Sequence, residues 1–299
     1  MDINTNLTYI TCIYDDLFGT EFGGRPHPRN KYFYGVESLT KVNSPIVIYT
    51  WPKNVEYVKN YYSEFLGIER FNNQIKVLEF DLYTSPLYDL IKSIKKPEHG
   101  IKSDRSYDLM IGKYFMIKDV IEKNIFNSKY FFWIDAGLSS SALFPNKYLN
   151  QNYPDAYRRY SNCSLFTPII TEKLVEKCNN NLLLFKLNAI GHWFDPKHIN
   201  LIQGETPWFI IGGIFGGNPS IFSNFCDDVI NSFIKHIKEC DILYLDEQIM
   251  TIVISFERYR YELINFDTWY HEDSGDWSKP YTINKKAFYT IFEEFNNGK

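Results

Sequence analysis

One short stretch, residues 129–145, constrains the fold of this chain more than any other. It reads KYFFWIDAGLSSSALFP and carries five consecutive bulky residues, Tyr130–Ile134, before Asp135-Ala136-Gly137 and a serine-rich loop. A short apolar run that is rich in aromatic residues and ends at turn residues predicts a buried central strand. Because ligands of open α/β sheets bind outside the carboxyl ends of the strands, Asp135 is a candidate ligand for a metal or a substrate. Aspartate also caps turns, and the local sequence leaves both interpretations open.

The segments before this stretch alternate between short apolar runs and amphipathic helices. Strands are predicted at residues 8–14, 46–50 and 76–80, and helices at 32–39, 55–66 and 106–124. The order β-α-β-α-β is typical of a mostly parallel sheet with helices on both faces. The polar residues 83–102 contain two prolines and a glycine, and they predict an irregular excursion.

The second half contains a glycine-rich stretch, WFIIGGIFGGN, at residues 208–218. A short strand is predicted at 208–211, followed by two glycine pairs that let a backbone approach a ligand closely. A bend required by packing is the alternative. Asn218-Pro219 predicts the start of a helix, with Asn as N-cap and Pro in the first turn. The four glycines are Gly212, Gly213, Gly216 and Gly217.

Further elements are predicted on either side of this stretch: a helix at 168–178, strands at 182–187 and 261–266, and a last helix at 285–295. Asp246 precedes a helix predicted at 247–257 and is its predicted N-cap, and Glu247 and Gln248 begin that helix. Carboxylates at a helix start are favoured by capping and by the helix dipole, so a purely structural role is open for both residues. His271 follows the last strand in a polar loop near carboxylates.

Basic residues occur at two places near the predicted ligand edge. A glycine-rich loop after the first strand, residues 18–30, contains Arg25 and is a candidate phosphate-binding loop, although its spacing matches neither a P-loop nor a Rossmann fingerprint. A solvated surface loop is the alternative. Lys113 lies at the edge of the apolar stripe of the helix at 106–124, and we expect it to lean toward the strand ends.

Composition excludes several classes of protein. The 299 residues suit one large α/β domain or two small ones, and 44% hydrophobic residues are ample for a core. A net charge of −4 without a long basic run argues against nucleic acid as a partner. No apolar stretch approaches the roughly 20 residues that cross a bilayer, and no signal peptide is predicted. Five scattered cysteines without a CxxC pair argue against a disulfide scaffold, so a cytoplasmic protein is expected, with peripheral membrane association left open.

Three features in order, the WIDAG strand end, the two glycine pairs and Asp246-Glu247-Gln248, resemble the HtrL/YibB-like family. Members of that family include proteins tied to bacterial surface-glycan loci, and the family in turn is similar to GT-A type nucleotide-sugar glycosyltransferases. The resemblance extends over residues 8–271. It implies one GT-A-like domain over 1–299, with a nucleotide-binding half at 1–145 and an acceptor-side half at 146–299.

The resemblance also implies roles for the candidate residues. GT-A enzymes usually hold a divalent metal with Asp-x-Asp at a strand end, and here Asp135-Ala136-Gly137 keeps only the first carboxylate. Asp135 and His271 are thereby expected to share one Mn²⁺ or Mg²⁺. The donor would be a nucleoside diphosphate sugar, and the acceptor a glycan or glycolipid of the lipopolysaccharide or capsule type.

The chemistry of glycosyl transfer suggests a role for each of the remaining candidate residues. A metal, Lys113 or Arg25 can neutralise the leaving diphosphate. Asp246 or Glu247 can take the proton of an acceptor hydroxyl. The glycine pairs, Gly212, Gly213, Gly216 and Gly217, are expected to shape an acceptor or sugar subsite.

Two other functions compete with glycosyl transfer. A phosphotransferase could use Asp135 as its nucleophile, but such enzymes need a second aspartate where this chain has Gly137. A glycan- or nucleotide-binding protein without catalytic activity could use the same fold, because a fold does not fix a function.

Overall fold

A computed structural model of the protein describes residues 3–14, 31–94, 104–136, 168–178, 181–187, 210–240, 243, 245–256 and 261–266. The described strands form one seven-stranded sheet in the order β3-β2-β1-β4-β6-β5-β7. Arg25, Gly137, His271 and the predicted helix at 285–295 lie outside the described residues.

The first half of the chain builds the parallel part of the sheet. Its strands are β1 (Leu7–Ile13), β2 (Ile46–Thr50), β3 (Ile75–Glu79) and β4 (Tyr130–Ile134). Its helices are α1 (Lys31–Leu39), α2 (Val55–Leu66), α3 (Ile68–Gln74), α4 (Tyr88–Ser93) and α5 (Asp104–Lys123). β1 pairs in parallel with β2 and β4, and β2 pairs in parallel with β3.

The prediction of a central strand at Tyr130–Ile134 is confirmed. β4 is the fourth of the seven strands, and its last four residues are buried. Such continuous apolarity is what a strand covered by helices on both faces requires, since neither side of it meets water.

The second half completes the sheet with one reversed strand. Its elements are α6 (Pro168–Cys178), β5 (Leu182–Leu187), β6 (Ile210–Gly217), α7 (Pro219–Cys240), α8 (Asp246–Phe256) and β7 (Tyr261–Phe266). β6 pairs antiparallel with both β4 and β5, whereas β5 and β7 are parallel. The expected mostly parallel α/β sheet is confirmed, with β6 as the exception among the described strands.

The prediction that this strand, β6, ends at residue 211, before the two glycine pairs, is wrong. Both glycine pairs lie inside β6, which extends to Gly217. A Cβ at Gly216 would overlap the carbonyl oxygen of Phe131, and one at Gly217 would overlap the carbonyl oxygen of Asn181. Close approach of the neighbouring backbones, and not a turn, therefore requires glycine at these two positions.

The irregular excursion predicted at residues 83–102 is partly wrong. A 3₁₀ turn at Leu82–Thr84 and helix α4 occupy its first part. The turn forms because the Asp81 side chain accepts a hydrogen bond of 2.9 Å from the Tyr83 N–H, and α4 is held by the buried Ile91. Residues 95–103 lie outside the described ranges.

Helices cover both faces of the sheet, as the sequence predicts. On one face, α5, α7 and α8 pack on residues such as Trp133 and Phe215. On the other, α1, α2 and α6 pack on residues such as Phe132 and Ile134. The alternation of Phe132 and Trp133 between the two cores follows from the two-residue period of a strand. Within the part of the chain that the structure describes, no helix has the length and apolarity to cross a membrane.

Candidate functional site

The carboxyl end of β4 and the amino end of β6 lie side by side. Ile134 pairs with Ile214, and the Asp135 N–H donates a hydrogen bond of 2.8 Å to the carbonyl of Gly213. Because β6 runs against β4, its first residues, and not its last, reach the edge where Asp135 emerges. The structure therefore brings Gly212 and Gly213 to Asp135.

Gly216 and Gly217 lie at the opposite end of the same strand. They pair with Phe132 and Phe131, which lie toward the amino end of β4. The structure thus separates the two glycine pairs that the sequence groups together. For Gly216 and Gly217 the packing explanation accounts for their contacts.

Asp135 is exposed, and its side chain is oriented by the strand that precedes it. The indole Nε1 of Trp133 donates a hydrogen bond of 2.7 Å to Asp135 Oδ1. Residues two apart on a strand point to the same face, so Asp135 continues the face that carries Trp133 and α5. An oriented, accessible carboxylate at a strand exit is suited to binding a cation or a polar ligand.

Lys113 on α5 lies beneath this edge and is buried. Its Nζ donates a hydrogen bond of 2.9 Å to the carbonyl of Gly212 and forms an ion pair with Asp246. The same atom lies 5.8 Å from the ring centroid of Trp133 and 5.6 Å from that of Phe215. A buried ammonium needs such partners because its hydration has been lost.

The surrounding charges keep Lys113 protonated. Burial alone lowers the pKa of this amine, but the carboxylates of Asp246, Asp135 and Glu247 together raise the pKa above its ordinary value. Lys113 is therefore a permanent cation at neutral pH, and it is buried below the site instead of extending into it.

Asp246 and Glu247 form the first turn of α8. The helix begins at Asp246, and the Leu245 N–H donates a hydrogen bond of 2.8 Å to the side-chain Oε1 of Gln248. This contact is the returning half of a capping box, so Leu245 occupies the N-cap position that the sequence predicts for Asp246. The carboxylate of Asp246 is instead engaged by Lys113.

The two acidic side chains differ in exposure. Asp246 is 2% exposed, whereas Glu247 is only partly buried. Burial raises the pKa of Glu247 well above its usual range, and the charge of Asp246 and a hydrogen bond with Asp246 raise it further, while Lys113 acts in the opposite direction. Glu247 thus holds its proton more tightly than an ordinary glutamate and sits beside a fixed positive charge.

Gly212 makes the approach of these carboxyl groups to β6 possible. A Cβ at this position would lie 2.7 Å from Asp246 Oδ2 and 3.1 Å from Glu247 Oε1. Any side chain here would displace the carboxyl groups. Glycine is therefore required at 212 by the site, whereas at 216 and 217 it is required by strand packing.

The expected metal ligands are only partly within the described residues. Asp135 is described and His271 is not. Among the ranges that the structure covers, no group of three or more His, Cys, Asp and Glu residues could hold a metal ion. A single accessible carboxylate fits a cation that takes most of its ligands from water and phosphate, as Mg²⁺ does.

Sequence reasoning missed three neighbours of Asp135. Trp133 orients the carboxylate, and Cys12 and Tyr32 lie within its electrostatic reach. Burial raises the pKa of both the Cys12 thiol and the Tyr32 hydroxyl, and the charge of Asp135 raises both further. Trp133 was recognisable from its position two residues before Asp135, while Cys12 required knowing that β1 lies next to β4.

Comparison of the chain with protein-family models gives no match, and comparison with curated protein sequences gives none either.

Proposed function

We propose that this protein is a GT-A-like glycosyltransferase that transfers a sugar from a nucleoside diphosphate sugar to a glycan or glycolipid acceptor. One observation carries the proposal: an accessible, oriented carboxylate, Asp135, at the carboxyl end of β4, with the Asp246–Glu247 carboxyl pair close by. The chain runs from β1 to β2 and β3 on one side and then to β4 on the other. Nucleotides bind open α/β sheets at such a reversal of strand order.

The donor would bind along the carboxyl ends of β1 and β4. Glycosyl transfer places negative charge on the departing diphosphate, and that charge must be neutralised as it develops. Asp135, with His271, would hold a Mn²⁺ or Mg²⁺ that supplies this neutralisation. Lys113 is too buried to contact a diphosphate, so Arg25 is the candidate for direct contact.

The acceptor would bind on the side of β6 and α8. The backbone of Gly212 and Gly213 borders this side, and the Asp246–Glu247 pair lies against it. A carboxylate here can accept the proton of an attacking hydroxyl. The resemblance to proteins of surface-glycan loci favours a lipopolysaccharide- or capsule-type acceptor, made in the cytoplasm.

Calorimetry of the wild type and of Asp135→Ala tests the proposal. Uridine and guanosine diphosphates are titrated with Mn²⁺ and with chelator, and Asp227→Asn on α7 is the control. We expect the wild type to bind one of the two nucleotides, and to do so only when the metal is present. Asp135→Ala should lose that binding. Absence of binding for both nucleotides contradicts the proposal.

Two further outcomes separate the alternatives. Nucleotide binding that is unchanged by chelator would assign the diphosphate to basic residues and remove the shared metal. Binding of a nucleotide sugar without turnover in the presence of candidate acceptors would favour a binding protein on the same fold. A His271→Ala variant, measured in parallel, tests the second ligand.

A further inference from the structure

Asp246 and Glu247 are neighbours in sequence but lie in different surroundings. Asp246 is directed inward onto the ammonium of Lys113. Glu247 is only partly buried as a residue, and its carboxyl group lies against Gly212 and is hydrogen-bonded with Asp246. Of these two residues, only Glu247 keeps some exposed surface, whereas Asp246 is buried.

Lys113 links three elements through one atom. From α5, its Nζ contacts the carbonyl of Gly212 on β6 and the carboxylate of Asp246 on α8. The Nζ also lies 5.8 Å from the ring centroids of Trp133 and Tyr114 and 5.6 Å from that of Phe215. The side chain is 6% exposed, so its charge acts on the protein and not on a ligand.

We propose that Lys113 is a positioning residue, whose ion pair with Asp246 holds that carboxylate inward and leaves Glu247 as the group that faces the acceptor. The reaction assigned to Glu247 rests on the glycosyl transfer proposed above. The geometry that separates the two carboxyl groups does not depend on that reaction.

The proton transfer can be written for the proposed reaction. The acceptor oxygen forms a bond to the anomeric carbon of the donor sugar, and the bond from that carbon to the diphosphate oxygen breaks. The departing diphosphate keeps the electron pair of the broken bond. The proton of the acceptor hydroxyl passes to the carboxylate of Glu247, and Lys113 stays charged throughout.

The electrostatics of the pair agree with this division. Burial and then Asp246 raise the pKa of Glu247, and Lys113 lowers it. A general base works best when its pKa lies near the working pH, and a raised pKa moves Glu247 from the ordinary glutamate range toward neutral pH. Other described titratable groups nearby are Asp135, whose charge acts on Lys113, and Tyr114, whose hydroxyl pKa is raised by burial and then by Asp246.

A carbon-13 titration of the glutamate side-chain carboxyls tests the positioning role on the full chain without any ligand. Glu247→Gln assigns the resonance of Glu247. The variants are Asp246→Asn and the doubly substituted Lys113→Met/Asp246→Asn, with Lys118→Met as the control on the same helix. The double variant carries no buried unpaired charge and serves where Lys113→Met alone does not fold.

We expect the wild-type Glu247 resonance to titrate clearly above the usual glutamate value of about 4.3. Asp246→Asn should move the midpoint to lower pH, and adding Lys113→Met should move it back up. Lys118→Met should leave it unchanged. A wild-type midpoint in the ordinary range, or equal midpoints in the single and double variants, would overturn the proposal.

A kinetic arm separates this proposal from the function itself. With a donor found by calorimetry, Glu247→Gln should lower kcat by about 10²-fold to 10⁴-fold, the usual contribution of a general base, with little change in the KM for the donor. Asp246→Asn should lower kcat less. If the wild type turns over no donor, the proposed function fails while the titration still tests the positioning role. If the wild type is active and Glu247→Gln matches it, only the present proposal fails.

Discussion

Two lysines of helix α5 form ion pairs with other helices, and these two pairs lie in different surroundings. Lys113 pairs with Asp246 of α8, and Lys118 pairs with Asp227 of α7. The side chains of the first pair are 6% and 2% exposed, and those of the second are 36% and 47% exposed. The two pairs use the same chemical groups and the same helix, so they differ mainly in their access to water.

That difference decides what each pair contributes. A half-exposed pair keeps much of its hydration and is screened by salt, so it stabilises the fold little. A buried pair has lost its hydration, and each charge depends on the other. The buried pair is therefore a weak source of net stability but a strong constraint on geometry, which suits a position beneath a functional site.

The largest expected effect is that of Lys113→Met. Removing the ammonium leaves Asp246 buried without its cation, which costs about 3–5 kcal/mol of the free energy of unfolding. Urea denaturation followed by circular dichroism measures the loss. Lys113→Met/Asp246→Asn should recover most of it, because neither charge is then buried. A loss below 1 kcal/mol for Lys113→Met would show that water reaches this ion pair. The Lys113–Asp246 and Lys118–Asp227 pairs would then not differ in their contribution.

Next in size is the effect of Gly212→Ala. The new methyl group would meet Asp246 Oδ2 at 2.7 Å, and the overpacking should cost about 1–3 kcal/mol. Gly112→Ala, adjacent to Lys113 on α5, is the matched control. Its methyl group would meet the flexible Leu82 side chain at 3.2 Å, and the better helix propensity of alanine offsets this by about 1 kcal/mol. Equal effects in the two variants would mean that the carboxyl groups move freely.

A smaller effect concerns the pH dependence of stability. The folded-state pKa of Glu247 lies above its unfolded value, so its stabilising contribution is complete below about pH 4 and is lost as the pH rises through the folded pKa. Glu247→Gln removes this loss. Relative to the wild type, the variant should gain stability as the pH rises above the unfolded glutamate value of about 4.3, by about 1.4 kcal/mol for each unit of pKa shift. Thermal or urea unfolding at several pH values measures this, and parallel curves would contradict it.

The smallest effect is expected for Lys118→Met. Loss of a half-exposed pair should cost about 0.2–1 kcal/mol, and the cost should shrink further in 1 M salt. Unfolding in low and high salt, with Lys113→Met measured beside it, gives the comparison. A salt-insensitive loss of several kcal/mol would place the two pairs in the same class.

Local patterns predicted most of the fold. Six elements have the predicted bounds to the residue: β2, α2, β4, α6, β5 and β7. Each of these segments contains either an apolar run or apolar residues at helical spacing, so its own sequence is enough to predict it. β6 could not be predicted in the same way, because its glycines have no side chains to form a period, and its pairing is with strands distant in sequence.

The site shows the same limit. Lys113 was expected to lean toward the strand ends because it borders the apolar stripe of α5. Its partner, Asp246, could not be identified, since no local pattern links α5 to the start of α8. Glu247 and Asp246 are equivalent candidates in sequence, and only burial distinguishes them.

The reversed direction of β6 also bears on how the chain acquires its structure. Phe131 of β4 pairs with Gly217, far later in the sequence, whereas β1, β2 and β3 are all synthesised before β4. A nascent chain can therefore assemble β1 to β4 while the edge of β4 that β6 will occupy is still unpaired. An apolar, unpaired strand edge is a site of aggregation. Pairing across such a sequence separation is also slow, because the long intervening chain must first be ordered. The centre of this sheet is consequently both buried and completed late in synthesis.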